Sequence, residues 1–240
     1  MQNQNEKVGV SEGINDFVQK NRKPIFVTLS AIVLLLIVSI VTLSLMDVFR
    51  GKAIAAVEEF SGRYESLRSS IHEEAHSDDD DADEHAHPDL EELLVQLGSF
   101  AQKTPGYAGG KAWSIIGNIR SQRKEWAEAE TAWASAAKKS GKTYLAPVAW
   151  FNAAVAAEQQ GRTEEAIDYY TKTLSTPAGF PSAPRAQFAI GRLHETLGET
   201  DKAITAYRAV ISGWTHDTTW INLAHSRIID LGVPRETAAQ

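Results

Sequence analysis

The sequence predicts an all-α protein: an N-terminal transmembrane helix followed by a short solenoid of three helical hairpins with capping helices. Three observations carry the prediction. A pattern of small and aromatic residues is written three times at a spacing of 37 residues. Ahead of it, Ile25 to Met46 runs for 22 residues without a charge. The remaining apolar positions, before and after the repeats, return at helical steps of three, four or seven.

The repeat is read first, because a fixed period decides the architecture. Gly117, Ala154 and Gly191 lie 37 residues apart. Four before each stand Trp113, Trp150 and Gln187; twelve after each stand Ala129, Ala166 and Ala203; sixteen after come Trp133, Tyr170 and Tyr207. Small residues at the eighth and twentieth positions of a unit let two helices cross closely, and large ones at the fourth and twenty-fourth fill the space around the crossing. Gly161 and Gly198 stand where the first helix of a unit should stop. The first copy has Arg123-Lys124-Glu125-Trp126 there, without a glycine.

These residues resemble the tetratricopeptide repeat, Trp-x2-Leu-Gly-x2-Tyr, then Ala-x3-Phe, then Ala. Trp113, Ile116, Gly117, Ala129, Trp133 and Ala136 match in the first copy; Trp150, Ala153, Ala154, Ala166 and Tyr170 in the second; Ile190, Gly191, Ala203 and Tyr207 in the third. Arg120, Ala157 and His194 depart from the family's tyrosine, and the period is 37 where the family has about 34. The resemblance implies units at about 110–143, 147–180 and 184–217, with a cap at 218–231, inside a domain spanning 89–234.

At 240 residues and 43% hydrophobic, the chain is long enough for one or two domains. Its net charge of -7 is uneven: residues 47–92 carry four Lys/Arg against fifteen Asp/Glu, while residues 93–240 carry sixteen against thirteen. Nothing in that balance points to nucleic acid. With no cysteine there is no disulfide and no thiol nucleophile.

At about 1.5 Å per residue, residues 25–46 extend roughly 33 Å, enough to cross a bilayer. A cleavable leader would be shorter and end in a small-x-small site, whereas this run ends Leu45-Met46-Asp47-Val48-Phe49. Lys20, Arg22 and Lys23 precede it, against Arg50 and Lys52 beside Asp47 after it, which places residues 1–24 in the cytoplasm and the repeats across the membrane. Residues 47–74 follow as a juxtamembrane helix on which Ile54, Val57, Tyr64, Leu67 and Ile71 recur. Stalk, packing partner for the repeats and dimerising helix are all compatible with it.

Residues 75–88 read as an acidic, His/Asp-rich flexible linker, since like charges repel and little apolar surface is present. His72-Glu73-Glu74-Ala75-His76 matches the zinc-protease signature, but the flanks offer no apolar walls for a dry cleft. Binding of zinc, copper or nickel by His72, His76, His85 and His87 is an alternative role for the segment, set against a solvated spacer that keeps the repeats off the membrane. From Leu90 to Phe100 an amphipathic helix suits the second half of a partial repeat. Pro105 to Ala112 fails as a phosphate loop because Pro105 stands for its first glycine and Ala112 for its Ser/Thr.

The tetratricopeptide resemblance implies a concave groove lined by the first helices. Carried over by position, its residues are Lys111, Ser114, Asn118, Ser121 and Gln122; Val148, Phe151, Val155, Glu158 and Gln159; and Arg185, Phe188, Arg192, Glu195 and Thr196. Of these, Asn118, Gln122, Phe151, Val155, Glu158, Phe188, Arg192 and Glu195 are the expected partner contacts, with Phe151, Val155 and Phe188 as an apolar strip suited to a helix or extended segment. A packing role between hairpins competes for the same side chains.

A polar tail, one span, a linking helix and a short repeat stack are together similar to the bacterial ancillary subunits of the Sec translocon. That similarity implies a scaffold or chaperone-like adaptor in the inner membrane, repeats in the periplasm or outside. Its partners would be translocon, chaperone, exported or envelope proteins; it would have no cofactor and no enzymatic activity. Metal sensing through the His/Asp segment, or a structural place in an envelope or division complex, are the alternatives. The oligomeric state is not specified by the sequence.

Overall fold

The computed structural model describes residues 19–74, 88–176 and 180–233, the side chains of Ile25 and of residues 72–74 excepted. The described residues are helical and contain no strand. In order the helices are α1 (Arg22–Glu74), α2 (Pro88–Lys103), α3 (Gly106–Gln122), α4 (Trp126–Ser140), α5 (Leu145–Gln159), α6 (Thr163–Ser175), α7 (Ala183–Thr196), α8 (Thr200–Gly213) and α9 (Thr218–Asp230).

The chain divides into two compact units, one ending at Lys52 and the other beginning at Ala53. In the first, α1 carries the one segment among the described residues that is long and apolar enough to cross a membrane, and none of that segment is buried. Its hydroxyls bond back to the helix's own backbone, Thr28 Oγ1 to Pro24 O at 3.0 Å and Thr42 Oγ1 to Val38 O at 2.7 Å. The expected span and juxtamembrane helix are one continuous helix, because nothing between Asp47 and Lys52 stops it; Gly51 alone costs about 1 kcal/mol relative to alanine.

In the second unit, the end of α1 pairs antiparallel with α2. Phe60 meets Phe100 edge-on at 5.4 Å, Arg63 Nη1 donates to Gln96 Oε1 at 2.7 Å, and Val57 and Tyr64 are buried with Leu90, Leu93, Leu94 and Leu97. Of the three roles open to this helix, packing partner is the one the structure shows. Ile71 before the acidic segment packs against the hydrophobic core that contains Leu90 after it; residues 75–87 of the linker lie outside the described residues. The metal candidates His76, His85 and His87, and the side chain of His72, lie outside the described residues.

Three hairpins follow, α3/α4, α5/α6 and α7/α8, and α9 packs on the last of them. Their small residues are dictated by the aromatic that crosses them. A Cβ added to Gly117 would stand 2.6 Å from the Trp133 ring, and one added to Gly191 would stand 2.6 Å from the Tyr207 ring. Ala154, fully buried, holds the same place against Tyr170.

The turn inside each hairpin is also repeated. Gly161 (φ 70°), Gly198 (φ 73°) and, after α9, Gly232 (φ 88°) take the left-handed conformation that ends a helix in a Schellman cap. The six-to-one bonds are Arg162 N to Ala157 O at 3.0 Å, Glu199 N to His194 O at 2.9 Å and Val233 N to Ile228 O at 3.2 Å. The first hairpin makes the same cap with Lys124 at φ 59°, Glu125 N donating to Arg120 O at 2.9 Å. Backbone geometry is kept there without the residue that suits it.

Two stability changes are expected for the full chain in lipid nanodiscs, read by circular-dichroism melting. Lys124→Gly should raise stability by about 1 kcal/mol by relieving the left-handed penalty. Gly191→Ala should lower it by about 1–3 kcal/mol, because the added methyl pushes Tyr207 off its seat. A neutral Gly191→Ala would mean that the ring does not rest on that backbone.

Candidate protein-binding face

The expected groove residues divide into three groups. In the first hairpin two of them are engaged by α1: Lys111 Nζ donates to both Glu58 carboxylate oxygens at 2.7 and 2.6 Å, and Gln122 Oε1 accepts from Tyr64 Oη at 3.0 Å. Asn118 is exposed, its Oδ1 accepting from Trp133 Nε1 at 3.3 Å.

In the second group the apolar strip is partly closed. Phe151 is only 8% exposed. Its ring packs edge-on to Tyr170 at 5.3 Å and beside Phe180 at 5.5 Å, and the Arg185 guanidinium lies 5.1 Å from its centroid. Val155 is half-buried on the same core. Phe188 is half-buried between Tyr207 at 5.0 Å and Trp220 at 5.4 Å. The packing that competes for these side chains takes all of Phe151 and part of the other two.

The third group forms a ladder of charge that sequence reading did not assemble. Glu158 accepts from Tyr170 Oη at 2.6 Å and pairs with Arg192 of the next hairpin. Glu195 accepts from Tyr207 Oη and pairs with Arg227 of α9, whose Nε lies 3.1 Å from Oε1. The same rung is therefore built twice, from the twelfth and twenty-fourth positions of a unit and a guanidinium of the following helix. The signal was present as Glu158/Tyr170 and Glu195/Tyr207, each pair twelve residues apart. The first hairpin has Ser121 and Trp133 in those places and makes no rung.

The junction between the first two hairpins uses another carboxylate. Glu130, buried, accepts from Gln160 Nε2 at 2.9 Å and Tyr169 Oη at 3.0 Å and pairs with Arg162. Nothing in the repeat pattern singled it out.

What remains open on the face is a shallow strip of exposed Asn118, Gln159, Arg185, Arg192 and Thr196 over half-buried Val155 and Phe188. It can bind a segment by hydrogen bonds and a modest apolar contact. No group of three or more metal-ligating side chains occurs among the described residues.

Burial pulls the Glu195 carboxyl upward, but hydrogen bonds from Arg227 and Tyr207, with the charges of Arg227 and Arg192, hold it below its ordinary value of 4.5. Burial, then the hydrogen bond to Glu195 and its negative charge, push the Tyr207 phenol above its ordinary value of 10.0. Tyr170 is raised in the same way by burial and Glu158. The signs fix two windows. A lowered carboxyl stabilises the fold above its unfolded value near 4.5 and loses that contribution as pH falls through the folded value. A raised phenol stabilises it below its unfolded value near 10 and loses that contribution as pH rises toward the folded value.

Glu195→Gln should therefore flatten the acid limb of the stability profile, and a Tyr170→Phe, Tyr207→Phe double variant the alkaline limb, in melts across the pH range. An acid limb unchanged in Glu195→Gln would remove the ladder from the stability account. Phe151→Ala should cost about 3–5 kcal/mol, as for other buried aromatics, so that loss of binding in that variant would report unfolding.

A family model described as tetratricopeptide repeat matches residues 116–179 and 175–217. A TPR repeat-containing protein of Treponema pallidum (strain Nichols) is 30% identical over 225 residues, covering 92% of this chain and 93% of the relative. With three hairpins in phase, an aromatic seated on a small residue in each, and a relative matched along nearly its whole length, the chain belongs to the tetratricopeptide-repeat family.

Proposed function

We propose that the protein is a membrane-tethered scaffold or chaperone-like adaptor, catalysing nothing, that assists exported or envelope proteins at the bacterial cytoplasmic membrane. The N-terminus lies in the cytoplasm and the repeat stack in the periplasm or outside. One observation carries the reading: a protein-binding repeat stack shares its chain with a bare apolar column. From Phe26 to Phe49 every large hydrophobic side chain is at least 45% exposed. A column of that length has no place in water and suits a bilayer core. The alignment with the Treponema relative leaves about 19 residues of this chain outside it, so the apolar stretch falls within the matched length.

A binding role also suits the chemistry of the face. Its two ladder carboxylates are each occupied by a phenol and a guanidinium, which leaves neither as a free acid or base. Repeat stacks of this family imply protein partners. The finer assignment, to translocon, chaperone or newly exported chains, rests on the similarity of tail, span and stack to the ancillary Sec-translocon subunits.

The test is in-cell crosslinking from a photoreactive residue at Gln159 or Thr196, both exposed, combined with alkaline extraction of membranes and a periplasm-active reporter fused after residue 233. The chain should resist extraction, the reporter should be active, and the captured proteins should be translocon subunits, chaperones or many exported chains. Release by alkaline extraction would refute the anchor. Capture of cytoplasmic proteins with a silent reporter would reverse the orientation, and capture of one abundant envelope protein at fixed ratio would replace the helper role with a structural one.

A further inference from the structure

The hairpins are not equivalent on the side away from the groove residues. In the second hairpin Tyr169 stacks on Trp150, ring centroids 5.5 Å apart and planes at 20°, and Lys172 Nζ lies 5.1 Å from both rings. Thirty-seven residues earlier, the first hairpin has the tryptophan, Trp113, but Ala132 and Ser135 in place of the tyrosine and lysine. Trp113, partly buried against the cores that contain Ile116 and Ala136, has no such ring stacked on it among the described residues. A depression of about 410 Å³ lies there, lined by Trp113, Ile116, Arg120, Glu128, Thr131 and Ala132. Arg120 is paired with Glu125, whereas Glu128 is exposed and makes no ion pair among the described residues. The third hairpin needs no cover, since Gln187 replaces the tryptophan and donates to Ala206 O at 3.2 Å.

We infer that this depression docks a helical segment of a partner protein that presents an aromatic side chain and, one turn later, a lysine or arginine. The chain's own second hairpin states the chemistry of the occupant. An aromatic ring is held by stacking on an indole, and a cation one turn on sits over the rings. In the second hairpin that cation pairs with Asp168, whose counterpart in the first is Thr131, so the acid a cation meets on entering the depression is the exposed Glu128 at its edge, which supplies the charge complementarity. The site shares no residue with the groove face, so its failure leaves the proposed function standing.

The probe is a fluorescein-labelled, helix-stapled peptide copying residues 163–175, the sequence of α6 with Tyr169 and Lys172, titrated by fluorescence polarisation against the full chain in lipid nanodiscs. Saturable binding is expected. A Tyr169→Ala peptide should bind about tenfold more weakly. Glu128→Lys in the protein should weaken the parent peptide by about five- to tenfold, and a Lys172→Glu peptide should recover it, which places the peptide at this depression and not in the seat of α6. An Ala132→Tyr, Ser135→Lys double variant, which rebuilds the second hairpin's cover within the first, should abolish binding while keeping a cooperative melt. Absence of saturable binding, indifference to the peptide's tyrosine, or no effect of Glu128→Lys would each overturn the inference. So would self-association of the wild-type chain that Glu128→Lys abolishes, since the occupant would then be a second copy.

Discussion

The seat of an aromatic ring on a residue with little or no side chain is the contact from which the repeat stack is built. Trp133 rests on Gly117 and Tyr207 on Gly191, close enough that a methyl group at either glycine would enter the ring. That contact sets how near the two helices of a hairpin approach, and close approach is what lets alanines such as Ala129, Ala153 and Ala203 fill the remaining space at 0% exposure. Where the ring is a tyrosine, its hydroxyl reaches across the hairpin to a glutamate that also holds an arginine of the following helix, Arg192 of the third hairpin or Arg227 of α9. One contact therefore sets the fold of a unit and the join to its neighbour.

Tryptophan at that seat has no hydroxyl, and the consequence is visible at the first junction. Trp133 spends its single donor on Asn118 of its own hairpin. The join to the second hairpin passes to Glu130, which gathers Arg162, Gln160 and Tyr169. The carboxylate there is buried, as it must be to reach three donors from the next unit, and a buried carboxylate is tolerated only with such partners. The ladder is thus a property of the second and third units and α9, and the open part of the groove face coincides with it.

Much of this was legible because each repetition of a backbone geometry asks for the same residue type. Gly161 and Gly198 announced the turns, and the small and aromatic positions announced the crossings. Lys124 did not, since the left-handed turn it forms is imposed by the helices on either side. The groove was half legible: position gave Phe151 its place on the first helix, but its burial depends on Phe180 from a connection and on Arg185, which a period cannot reveal. The α1/α2 hairpin was hidden by the acidic segment, which breaks the register. Leu93, Leu97 and Phe100 do stand 36 residues before Ala129, Trp133 and Ala136, yet a helical period alone names no partner.

A stack in which each unit contacts only its neighbours must close its two ends, and here it does so with different means. At the start, the end of α1 and α2 lay Val57, Tyr64, Leu93 and Leu97 against α3. At the finish, α9 buries Ala224 and Ile228 against Tyr207 and Val210, and its turn at Gly232 repeats the cap of a first helix with no second helix among the described residues. With both ends covered, the surface left for recognition is the sides of the units. On those sides the crossing positions keep small and aromatic residues from unit to unit, whereas the position filled by Ala132 and Ala206 carries Tyr169 in the second unit. Selection for packing makes units alike, so a difference that stacks a tyrosine on Trp150 and leaves the partly buried Trp113 without a stacked ring among the described residues is the kind of difference that packing does not explain.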